Sequence, residues 1–178
     1  MFLLQLSRNS PINTTLLTED GKPMYTISTP HKIFRRTTTV TRHTYDAEGQ
    51  PTDITEEMAK IHWHRLTSSK LVLNGELKNI DKVMPKTGVM GSRAFTASDG
   101  KKYKWRMGMT DCELADGPKP ARPVVVKMRH RFQDISTGTR PVLEIEESVL
   151  PFLDIIIMTW IYTERTRRDI EYERLGSV

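Results

Sequence analysis

The sequence predicts a mostly β (α+β) fold, an antiparallel barrel closed around one hydrophobic helix near the C-terminus. Three observations carry that expectation. Asp20-Gly21, Asn74-Gly75 and Asp99-Gly100 punctuate runs rich in Thr, Val, Ile and aromatic residues, the signature of hairpin turns. Two runs, KYKWRMG and VVVKMRHRF, alternate strictly between basic and apolar side chains, which is the period of a strand with one face in a core. Residues 149–162, VLPFLDIIIMTWIY, are instead apolar on every side of a helix, and such a helix belongs inside a core. A helix buried all round needs a sheet that wraps it, and closure of that sheet removes its edges.

The elements follow in order. MFLLQL reads as a first strand, because it lacks the basic start and long apolar run of a signal peptide. INTTLL and PMYTIST flank Asp20-Gly21 as a hairpin. KIFRRTTTVTRHTY has strand composition and no helical period, and AEGQP ends it. AKIHWHRL and KLVLNGEL continue the strand pattern, while TEEMAK just before them fits a helical turn as well as a strand. KVMPKTGVMGSR is a loop by its Pro and two Gly, and DGPKPARP is a second, Pro-rich loop. The two alternating strands lie on either side of that second loop, and RPVLEIEE supplies a last strand.

The final helix opens with Ser148 as a reasonable N-cap and Pro151 in its first turn. Its fourteen apolar-rich residues, 149–162, span about 21 Å of helix, short of a hydrocarbon core of ~30 Å. Asp154 adds about 2.5–3.5 kcal/mol to the cost of insertion. A membrane span is therefore rejected in favour of a core helix. Beyond Tyr162 the pairs Glu164–Arg168, Arg165–Asp169 and Arg167–Glu171 sit at i,i+4, which predicts an exposed charged extension over residues 163–174.

Composition bounds the function. The 178 residues, 37% hydrophobic and 28% charged, suit one globular domain over 1–178. One cysteine, Cys112, forbids an internal disulfide, so an oxidising compartment is not indicated. The expected location is the cytoplasm, with peripheral attachment to a membrane as a variant of it. The net charge of +5 is unevenly placed. Residues 93–131 hold ten Lys and Arg against four Asp and Glu, and residues 132–178 hold five against nine.

The segments NTTLLTEDGKPMYTISTP, RRTTTVTR, FTASDGKKYKW and LDIIIMTWIYTERTRRD, in that order, resemble the fungal domain-of-unknown-function family 6593 of mushroom-forming basidiomycetes. That family looks like a branch of the tubby C-terminal-like group, together with plant LURP-one-related proteins and phospholipid scramblases. The resemblance implies about twelve strands closed around a hydrophobic helix, and it brings no catalytic motif to any position here.

The basic strand faces, Lys101, Lys102, Lys104 and Arg106 with Lys127, Arg129 and Arg131, would converge if their strands are neighbours. Tubby-type relatives bind phosphoinositide headgroups through Lys and Arg on strands, so an anionic membrane lipid is the partner the resemblance implies. A solvated outer face is the plain alternative. Nucleic acid is disfavoured, since Tyr103 and Trp105 fall out of phase with the cations and offer no stacking platform. His62-Trp63-His64 has a metal-ligand spacing without a third ligand nearby, so no metal and no cofactor are expected. Cys112 has no adjacent base, and no phosphate loop or nucleophile elbow is present, so the chain reads as no enzyme. The reading is a non-catalytic binding module. A protein-interaction module docking through the charged helix end and a scramblase-like lipid handler stand as its alternatives.

Overall fold

The computed structural model describes residues 1–30, 36–64, 67–73, 75–88, 91–106, 111–115, 123–129 and 140–176. Twelve strands form: β1 (Phe2–Leu6), β2 (Thr14–Leu17), β3 (Pro23–Ser28), β4 (Thr37–Tyr45), β5 (Pro51–His62), β6 (Lys70–Leu73), β7 (Glu76–Asn79), β8 (Arg93–Thr96), β9 (Lys102–Arg106), β10 (Asp111–Leu114), β11 (Val124–Arg129) and β12 (Val142–Ile145). One helical turn, α1 (Ile80–Val83), follows β7. The long helix α2 (Leu153–Leu175) closes the order and is entered through a 3-10 segment, Glu147–Phe152. The hydrogen-bonded strand order is β7-β6-β5-β4-β3-β2-β1-β12-β11-β10-β9-β8.

That order is open at both ends, which corrects the closed barrel. Alternation along a strand shows which face is buried but not which edges meet, and here both end strands are finished differently. On β8 the outer edge is taken by the chain just before it: Ala94 N–H donates to the Pro85 carbonyl (3.1 Å), and Lys86 bridges Arg93. On β7 the strand is four residues long and exposes Glu76, Leu77 and Lys78, the short charged edge that discourages further pairing.

The chain groups into two compact units. The N-terminal unit comprises Leu3–Lys82 and Arg129–Leu143, and the C-terminal unit comprises Met1–Phe2, Val83–Met128 and Glu144–Val178. In the N-terminal unit Leu4, Leu6, Leu16, Val40, Ile61 and Leu71 are completely buried. Each is one parity of its strand, with Thr15, Thr39 and Thr41 on the other, as a half-buried sheet requires. Asp20-Gly21 does make the β2–β3 turn, with Gly21 at φ +79°, a conformation glycine adopts without strain. The TEEMAK ambiguity resolves as strand, because β5 pairs with β4 along its length: Thr41 faces Glu57, Arg42 faces Glu56 and His43 faces Thr55.

In the C-terminal unit the apolar parity of β9 packs inward, with Tyr103 and Trp105 buried. Tyr103 stacks on Phe95 at 5.7 Å and meets Phe152 of the 3-10 segment at 5.3 Å. Six consecutive residues of α2, Ile156 to Ile161, are 0% exposed, so every side of that stretch is covered. Each large side chain among them contributes about 1.5–3 kcal/mol by burial.

Two details of the helix differ from expectation. Ser148 does not cap it; the 3-10 segment starts at Glu147, and Pro151 lies within it. Proline has no N–H for the α-helical ladder, and the α-helix proper begins two residues after it. The extension is also less exposed than its charges suggest. Thr163 and Glu164 are completely buried, residues 165–170 are half-buried, and exposure starts at Glu171.

Candidate functional site

Alternation places the cations of β9 and β11 as the sequence implies. Lys102 is exposed and Lys104 and Arg106 are half-buried on the face opposite Tyr103 and Trp105. Lys127 is exposed between the buried Val126 and Met128. The strands are not neighbours, however. β10 lies between them and pairs with both, so the condition for direct convergence, neighbouring strands, is not met. At a strand spacing of ~4.8 Å the two basic rows stand about 10 Å apart.

What β10 inserts is a row of carboxylates. Asp111 is opposite Arg106 on one side and Lys127 on the other, and Glu113 is opposite Lys104. The Arg106 guanidinium donates to Asp111 at 3.2 Å and lies 3.7 Å from Glu113. Asp111 and Glu113 are both buried, while Arg106 is only half covered. Arg106 thus lies between two buried carboxylates and offsets part of their charge, which would otherwise be costly. Arg106 Nε and Asp111 Oδ1 have no hydrogen-bond partner among the described residues. Lys102, Lys104 and Lys127 have no acidic partner within 4.0 Å among the described residues, so none of the three is held in an ion pair there.

The remaining candidates separate. Lys101 sits at the β8–β9 turn, exposed and 3.9 Å from Asp99. Arg129 ends β11, exposed, and belongs to the N-terminal unit. Arg131 lies outside the described residues. Sequence reasoning missed β10 although a signal was present: in DCEL the acids and the apolar residues alternate with period two.

Cys112, on the opposite parity of β10, is completely buried. Burial pushes its thiol well above the usual range, and the charges of Glu113 and Asp111 push the same way, so no thiolate is available at neutral pH. Burial likewise raises the Tyr103 hydroxyl, which donates to Asp99 at 2.8 Å. Among the described residues no His, Cys, Asp or Glu group of three or more could hold a metal ion.

Three of the polar residues buried on or against α2 are engaged, while Trp160 Nε1 and Thr163 Oγ1 are buried without a hydrogen-bond partner among the described residues. Thr159 accepts from the Trp105 indole N–H at 2.9 Å and donates to the Ile156 carbonyl at 3.1 Å. Arg93, buried on the core face of β8, donates to the Met84 carbonyl at 2.6 Å and sits 5.0 Å over the Tyr162 ring. Glu164 receives two bonds from Arg167, at 2.8 and 2.9 Å, and one from Arg168 at 2.6 Å. None of these is a free reactive group.

No helix of the described residues is long and apolar enough to cross a membrane. Comparison with curated proteins and with solved structures returns no match. The model of a family of unknown function, DUF6593, does match, over residues 9–169, a span that holds β2 to β12, the lysine face and most of α2. The chain is a member of the DUF6593 family.

Proposed function

We propose that this chain is a non-catalytic binding module whose lysine face takes anionic lipid headgroups, phosphoinositides included. One observation carries the reading: Lys102, Lys104 and Lys127 share a sheet face without acidic partners among the described residues, while Arg106 is held by Asp111 and Glu113. Along β9 two lysines of one parity stand about 7 Å apart, and β11 lies about 10 Å away. Ammonium groups so spaced meet separate phosphates, as a lipid layer presents them, better than they surround one. The tubby-like resemblance lends the reading partial support: it implies about twelve strands and a hydrophobic C-terminal helix, which are present, and a closed sheet, which is not. The buried, unreactive thiol of Cys112 supports the non-catalytic part.

Liposome co-sedimentation tests it. Binding should rise with phosphoinositide or phosphatidylserine content and fall steeply with salt, because the Debye length shrinks from ~8 Å at physiological ionic strength to ~3 Å at 1 M. Lys102→Glu, Lys104→Glu and Lys127→Glu together should abolish it with the melting temperature unchanged. Lys104→Gln should weaken binding with stability unchanged, whereas Arg106→Gln should also lower the melting temperature, because it leaves Asp111 and Glu113 buried without their cation. Wild-type binding by the triple variant would refute the lysine face.

A further inference from the structure

A second group of basic side chains lies in the N-terminal unit and shares no residue with the lysine face. Strand β5 ends at His62, and across the ladder His62 stands directly opposite Lys70, the first residue of β6. Lys60 precedes His62 by two residues on the same face, and His64 follows by two. The His64 backbone N–H donates to the Ser69 hydroxyl at 3.3 Å, which holds it beside the start of β6. On the other side β4 brings Thr37 opposite His62, and its hydroxyl lies 3.0 Å from Nδ1.

The surroundings of the imidazole are one-signed. Besides partial burial, the charges that act on His62 are those of His64, Lys60 and Lys70, and all three depress its pKa. Glu57 pairs with Lys60 at 2.7 Å, which leaves Lys70 as the open fixed charge beside the two imidazoles. From α1 the nearest carboxylate, Asp81, is engaged by the Ser68 hydroxyl. Thr37 serves either protonation state, because a hydroxyl both donates and accepts. His62 Nε2 has no protein hydrogen bond among the described residues.

We infer that His62, His64 and Lys70 form an anion site for a phosphomonoester group, one that tightens as His62 takes up a proton. In it Lys70 supplies a fixed charge and His62 a second, conditional one, donating from Nε2 while Nδ1–H is accepted by Thr37. A bound dianion favours the imidazolium, so binding and protonation reinforce each other. If the anion lifts the His62 pKa by about one unit, affinity at low pH exceeds that at high pH about tenfold. This site shares no residue with the lysine face, so the two readings stand or fall separately.

Sulfate is the suitable first probe, since it keeps its charge between pH 5 and 8 on the full chain. Imidazole NMR signals are followed across that range with and without it. The His62 midpoint should rise with sulfate, and Lys70→Gln or His62→Gln should each weaken sulfate binding several-fold at pH 5.5, with circular dichroism unchanged. Glycerol phosphate and vesicles carrying phosphatidic acid then distinguish the sources: binding of the first assigns a soluble phosphomonoester, and binding of the second alone assigns a lipid one. An unmoved His62 midpoint, or Lys70→Gln binding as the parent does, overturns the site. The triple lysine variant of β9 and β11 should leave this response intact.

Discussion

Thr159 shows how one polar residue is accommodated in the otherwise apolar 155–162 stretch of α2. Its hydroxyl sits between the Trp105 indole and the Ile156 carbonyl. Thr159→Val keeps the shape but strands a buried N–H, at a cost of about 1–3 kcal/mol. Adding Trp105→Phe to Thr159→Val should recover only part of the loss, since the ring is also packing volume. A double-mutant cycle by urea denaturation measures the bond, and a coupling near zero would deny it. His62 gives a pH signature at the same scale. Its folded pKa lies below the ordinary 6.5, so as pH falls the unfolded chain takes up the proton first. The anion-free protein should therefore hold this contribution fully above about pH 6.5 and lose it as pH drops towards the folded pKa. His62→Gln should flatten that part of the melting-temperature profile. The anion response and this slope have opposite directions, so both can be read in one titration.

At the scale of elements, β10 decides the character of the lysine face and α2 decides whether the C-terminal unit forms. The inward parity of β9 and β11 was legible, because KYKWR alternates throughout and VVVKMR does so from Val126 onward. β10 is harder to read: it is four residues long, and the burial of its acids depends on Arg106 of the neighbouring strand, which local sequence does not show. For α2, the fully apolar turns announced burial, but the charged residues misplaced its limit. Glu164 is clamped by Arg167 and Arg168, so its charge is compatible with complete burial. Truncation tests the corrected limit. Ending the chain after Ile170 should change the melting temperature by a few degrees at most. Ending it after Tyr162 removes buried Thr163 and Glu164 and should be markedly destabilising. Ending it before Val149 should leave no folded C-terminal unit, as circular dichroism and soluble yield would show. Equal yields from the first and second truncations would contradict the buried Glu164 cluster.

Over the whole molecule, the number and kind of elements were largely legible and their connections were not. Gly21 and Gly100 turn as the Asp-Gly pairs predicted, and Thr-rich runs became strands. Sheet closure failed because local periodicity carries no information on which edges pair; a chain crossing at Pro85–Lys86 covers one of them. Both units are also assembled from separated stretches of chain. β1 is the clearest case: it lies beside β12 in the strand order, and Leu6 N–H donates to the Pro141 carbonyl at 2.9 Å. A ribosome that has finished β1 must still add everything up to Pro141 before that bond has an acceptor. At ~5–20 residues per second the delay is roughly 7–30 seconds. Throughout it one margin of the nascent sheet stays unmatched, which makes the growing chain a natural client for chaperones during translation.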